Sequence, residues 1–181
     1  MRSRATFLGH AVHPVMIVLP LGLFNTAVIL DIAYLITGRA GFAAAAGYVI
    51  GTGLVSGLAA AVFGLMDWTA IPPGTPAKRV GLLHGAGNVL VLLLFTASWL
   101  LRIFHQWVPS PAALICGFAG LALAGVTGWL GGELVERLGV GINDGVASDA
   151  GWLDGRSSLL APATVAPTVP RQSRRPRHEL R

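Results

Sequence analysis

A single cysteine, Cys116, occurs in 181 residues. One thiol closes no intrachain disulfide and builds no Cys-based zinc, iron–sulfur or c-type haem motif within this chain. Charge is scarce as well, at 12% of residues, against about a quarter in a soluble globular domain. Also missing are the P-loop, the Gly-x-Ser-x-Gly elbow, the His-Glu-x-x-His pair and the dinucleotide fingerprint, so no nucleotide or hydrolase chemistry is signalled. The five arginines near the C-terminus (Arg171, Arg174, Arg175, Arg177, Arg181) come without interleaved aromatics. That absence argues against nucleic acid and for a solvated tail that favours anionic lipid headgroups.

What the chain has is apolar length. It is 54% hydrophobic, with a mean hydropathy of +0.67. Four apolar runs stand out: Pro14 to about Thr37, Phe42 to Met66, Val80 to Phe104, and Pro111 to Leu130. Each is near the roughly 20 residues that cross a bilayer core. Lone segments in lipid must satisfy their own backbone, so only helices fit. The first run is too long for the apolar part of a signal peptide and contains Asn25 and Asp31, which reads as an uncleaved span.

The expected fold is all-α: a four-helix transmembrane bundle over residues 8–142 with a disordered basic tail over 143–181. Lys and Arg set the orientation. With the N-terminus inside, the inner side carries Arg2, Arg4, Lys78, Arg79, Arg137, Arg156 and the tail, and the outer side only Arg39 and Arg102. Both termini are therefore expected in the cytoplasm. Trp68, Trp99, Trp107 and Trp129 fall near span ends, as an interfacial belt requires. Gly47/Gly51, Gly53/Gly57, Gly81/Gly85 and the ridge Gly120, Ala124, Gly128, Gly132 have the small-residue spacing that lets helices approach closely.

This topology gathers polar groups at the inner face. His10 and His13 open the first span, with Pro14 fitting a first helical turn. Asp67 ends the second span. His84 and Asn88 lie one step apart in the third, and Glu133 closes the fourth. The bland reading is a polar cluster that only caps and orients helices, which makes the protein a scaffold or anchor. The sharpest reading is haem b, whose two axial imidazoles come from different helices: His13 or His10 with His84, with Asp67, Asn88 and Glu133 around them and Gly81, Gly85 and Gly87 clearing space for the macrocycle. A third is a transition-metal site using His10, His13, His84, Asp67 and Glu133, or proton handling by the same groups. Asp31 shares the first span's histidine face roughly 27 Å further along. It is expected to pair structurally with Arg102 or Arg39, and Pro20 on the same stripe is expected to bend the helix.

These residues also carry a resemblance. Gly9-His10-x-x-His13-Pro14 leads to Pro20-Leu21-Gly22-Leu23-Phe24 and then Asp31. Gly64-x-x-Asp67 precedes Ile71-Pro72, and Gly81-x-x-His84-x-x-x-Asn88 follows. Gly128-Trp129-Leu130-Gly131-Gly132-Glu133-Leu134-Val135 and Gly139-Val140-Gly141 end the series. In order and spacing the chain resembles the bacterial membrane family called domain of unknown function 2231, from about Leu8 to Ile142. The resemblance implies a four-helix protein of the bacterial inner membrane with no established activity. Some relatives are joined to a Rieske-type iron–sulfur domain, which implies an electron-transfer setting and a redox partner. Relatives often place a His or Tyr between the Gly-Gly-Glu-Leu-Val and Gly-Val-Gly stretches, where this chain has Glu136-Arg137-Leu138.

Overall fold

The computed structural model describes residues 3–8 and 10–141; the expected tail over 143–181 lies outside them. A two-stranded antiparallel hairpin, β1 (Thr6–Phe7) with β2 (His10–Ala11), leads into helices α1 (Val12–Met16), α2 (Val18–Thr37), α3 (Ala40–Ala70), α4 (Pro76–Ile103) and α5 (Pro111–Glu136). α1 and α2 form one stretch, so four segments are long and apolar enough to cross a membrane.

Local sequence explains the ends and the break. α4 and α5 start alike, with a hydroxyl residue followed by proline. Thr75 Oγ1 accepts the Lys78 N–H at 3.2 Å and Ser110 Oγ accepts the Ala113 N–H at 3.3 Å, with Pro76 and Pro111 in first-turn positions that need no donor. α2 stops at Gly38, which adopts φ +66° and returns its N–H to the Tyr34 carbonyl at 2.8 Å. The interruption at Ile17 falls where Pro20 has no N–H for the carbonyl four residues before it and its ring crowds that turn.

α2 packs on α3, α3 on α4, α4 on α5 and α5 back on α2, an up-and-down ring closed by short connections. At its centre Phe24 and Phe95 stack with ring centroids 3.9 Å apart, among Ala27, Val28, Ile50, Val91 and Ala124. Glycine makes this stack fit. A Cβ at Gly53 would lie 2.7 Å from the Phe24 ring, and one at Gly120 2.9 Å from the Phe95 ring. Outward positions such as Ile29, Val62, Leu93 and Val126 are exposed apolar side chains, the composition of a lipid-facing surface.

Several glycines do not serve the direct helix approach that their spacing predicts. The space over Gly47 is filled by the Trp107 ring and that over Gly51 by Trp99. Trp107 also lies 5.0 Å from the Tyr48 ring, while Trp129 is 76% exposed. Two of the four expected belt tryptophans therefore fill grooves on α3. Gly85, Gly128 and Gly132 face open space. The helices also outrun their apolar windows: α3 continues through Asp67 to Ala70 and α5 through Glu133 to Glu136. Only five residues, Ile71 to Thr75, separate α3 from α4.

Candidate functional site: a histidine pair at one end of the bundle

One end of the ring is formed by α1, the end of α3, the start of α4 and the end of α5. Here His13 and His84 approach with ring centroids 6.5 Å apart and planes at 90°. Each ring is held by the helix next to it. His13 Nδ1 donates to the Ala60 carbonyl of α3 at 3.0 Å, and His84 Nδ1 donates to the Thr127 carbonyl of α5 at 2.8 Å. A ring nitrogen facing a carbonyl oxygen must carry the proton, so Nδ1 is the donor in both rings, and in the neutral tautomer Nε2 is the nitrogen with the lone pair.

Glycine admits both rings. A Cβ at Gly64 would stand 2.8 Å from His13 Cε1, and one at Gly131 3.1 Å from His84 Cε1. The ring of each histidine thus lies against bare helix backbone, and any larger residue displaces it. Asn88, one turn after His84, donates its amide N–H groups to the His84 carbonyl at 2.9 Å and to His84 Nε2 at 3.1 Å. Its Oδ1 lies 3.0 Å from the Thr127 hydroxyl, which also lies 3.1 Å from the Ala124 carbonyl. Thr127 thus supports His84 twice, by its carbonyl directly and by its hydroxyl through Asn88. Among the described residues none donates to His13 Nε2.

The other polar groups expected here go elsewhere. Asp67 Oδ1 accepts from Ser3 Oγ at 2.7 Å and from the Arg4 N–H at 2.9 Å. Glu133 pairs with Arg137 at 3.3 Å on the same helix. His10 is exposed in the hairpin and turns its Nδ1 to the Leu8 carbonyl at 3.0 Å. The histidine on the bundle is therefore His13, and Asn88 is the one expected neighbour that touches the pair. Among the described residues no three His, Cys, Asp or Glu side chains converge on one point. Gly81 and Gly87 do not leave the clearance expected of them, because Trp68 and Thr127 fill it. Sequence reasoning missed Gly64, Gly131 and Thr127 as supports of the pair. Two of them lie inside motifs quoted above, Gly64-x-x-Asp67 and Gly128 to Val135, which was the available signal.

At the opposite end Asp31 and Arg102 meet as a bidentate pair. Arg102 donates to Asp31 Oδ1 at 2.8 Å and to Oδ2 at 2.6 Å, with both side chains buried. Ser98 Oγ accepts from Arg102 Nε at 3.4 Å and donates to the Ala113 carbonyl at 2.7 Å. α2, α4 and α5 are thereby tied at one point. Among the described residues no buried side-chain nitrogen or oxygen lacks a partner.

Four apolar helices closed around a small aromatic core, with ionisable groups confined to the ends, define a polytopic membrane-protein class. The family described as "Predicted membrane protein (DUF2231)" matches residues 9–144, and the chain belongs to it. No curated protein and no solved structure matches the chain.

Proposed function

We propose that the protein is a small redox-associated subunit of the bacterial cytoplasmic membrane, with both termini inside, in which His13 and His84 would hold a haem b. The observation that carries this reading is the pair itself: two imidazoles from different helices, each with Nδ1–H fixed on a backbone carbonyl. That is the arrangement in which a neighbouring acceptor orients a ligating histidine and raises its basicity, with Nε2 as the nitrogen that would ligate. Their ring centroids lie 6.5 Å apart, so the two imidazoles are neighbours at one depth of the bundle. A haem held this way supplies one-electron transfer. In this chain Ala60 and Thr127 hold the ring orientations, and Asn88, which donates to His84 Nε2, would have to turn away for that nitrogen to ligate. Open space on α4 comes from Gly85, since Gly81 and Gly87 are packed. The cytoplasmic placement of the histidine end is supported by Arg4, Lys78, Arg79 and Arg137, against Arg39 and an Arg102 paired with Asp31 at the other end. A Rieske-type redox protein is the class of partner this reading calls for.

A second reading is favoured by the packing of Gly81 and Gly87 and by the closed polar network. There the protein is a non-catalytic scaffold or anchor, and the histidines only lock α1, α3, α4 and α5 together. A zinc or iron site, or proton handling, would rest on the same two imidazoles.

A visible spectrum of detergent-purified protein, oxidised and then dithionite-reduced, separates these readings. Expression with ample haem should give a Soret band and sharp reduced α and β bands. These should vanish in His84→Ala and His13→Ala and persist in His10→Ala. A flat spectrum at good yield overturns the haem assignment and leaves the scaffold reading, with metal analysis deciding the third.

A further inference from the structure

Three features of one face of α3 hold the segment that delivers His13. Ala60 offers its carbonyl to His13 Nδ1, Gly64 offers bare backbone to the His13 ring, and Asp67 accepts from Ser3 Oγ and the Arg4 N–H. Residues 60, 64 and 67 are spaced four and three apart, which is one stripe of a helix. The segment they hold is short and tied back on itself: Ala5 is buried, its carbonyl accepts the Val12 N–H at 2.9 Å, and β1 pairs with β2 between them. Fixing Ser3 and Arg4 therefore fixes Val12, and His13 follows directly. Among the described residues, Asp67 makes the only hydrogen bonds from α3 beyond Gly64 to the chain before His13. The five-residue α1 is too short to keep its own register in isolation.

We propose that Asp67 is a positioning residue for His13: through Ser3 and Arg4 it anchors the N-terminal hairpin, and the hairpin sets the His13 imidazole on Gly64 and Ala60 opposite His84. This rests on the reading of His13 and His84 as a ligand pair for its purpose, but the positioning itself exists without any ligand. It also gives the motif Gly64-x-x-Asp67 a single meaning, a glycine that admits the ring and an aspartate that delivers it.

The test is histidine modification by diethyl pyrocarbonate on the full-length protein in detergent, read residue by residue by mass spectrometry. Asp67→Ala should raise the rate at His13 by about tenfold, the scale set by losing hydrogen bonds to a charged acceptor, and leave His84 unchanged. Asp67→Asn keeps an oxygen for Ser3 and Arg4 and should stay near wild type. Gly64→Ala, which displaces the ring and leaves Asp67 alone, should raise the His13 rate as well. An unchanged His13 rate in Asp67→Ala overturns the proposal, and so does an equal rise at His13 and His84, because that reports loss of the bundle rather than of one ring. If wild type binds haem, Asp67→Ala should also alter its reduced bands while Asp67→Asn restores them. A colourless wild type overturns the haem reading alone, and the modification rates still decide the role of Asp67.

Discussion

Asp31 and Arg102 meet at one end of the bundle as a bidentate ion pair, and His13 and His84 meet at the other as two imidazole rings set edge to face. The ion pair bonds within itself and to Ser98, and Ser98 in turn donates to the Ala113 carbonyl. Both partners are within 1% of complete burial. Such a pair is sealed from solvent and directed at itself, and its cost of desolvation is met only while both charges are present. The histidine end is only half-buried, and His13 Nε2 receives no hydrogen bond from any described residue. The contrast separates a closed joint from an open one, though both consist of polar groups that lipid would reject.

The joint is the place to break first. Arg102→Leu leaves the Asp31 carboxylate buried without a counter-ion, and should cost about 3–5 kcal/mol, seen as a lowered unfolding midpoint in detergent. The double variant Asp31→Leu/Arg102→Leu removes both charges together and should be far milder than either single change. If the double change is as damaging as the single one, the pair does more than neutralise itself, and the contrast between the two ends fails.

Close packing at the histidine end gives a smaller effect. A Cβ at Gly87 runs into the Thr127 methyl, whereas one at Gly128 meets nothing within 4 Å. Gly87→Ala should therefore cost about 1–3 kcal/mol, as overpacked sites do, and should loosen the Thr127 support of His84 and Asn88. Gly128→Ala should cost nothing or add up to about 1 kcal/mol, since alanine favours the helix. Thermal unfolding of the two variants side by side measures the difference.

The four spans were legible because bilayer length and apolar content are one-dimensional properties that the chain displays directly. The break near Pro20 and the pairing options of Asp31 were legible for the same reason: each depends on a local clash or a lone charge in an apolar run. Helix ends were not, because the apolar window marks where lipid ends and not where hydrogen bonding ends; α3 carries on past Met66 and α5 past Leu130. The site was legible only in part. Spacing brought His84 and Asn88 together on one helix, and depth brought His13 to them. Asp67 and Glu133 lie at the same end, but depth does not fix which way a side chain turns. Asp67 bonds a segment 63 and 64 residues away in sequence, and Glu133 takes the nearest arginine on its own helix. The glycines were legible as small residues, but not as seats for Trp99, Trp107, His13 and His84, since the occupant of a groove comes from another element.

Glu133 supplies the finest test of how far that lesson extends. Its carboxylate meets Arg137 at 3.3 Å, one turn on, with the arginine side chain 75% exposed. A pair of this kind is screened and flexible, so Arg137→Ala should change stability by no more than about 0.5 kcal/mol. The same variant should leave the modification rates of His13 and His84 at wild-type values, because the structure gives Glu133 no bond to either ring. A change in those rates would mean that Glu133, released from Arg137, reaches the pair. It would then belong with the open end of the molecule, and its place beside Gly131 and Gly132 would need a ligand-side explanation instead of a helix-end one.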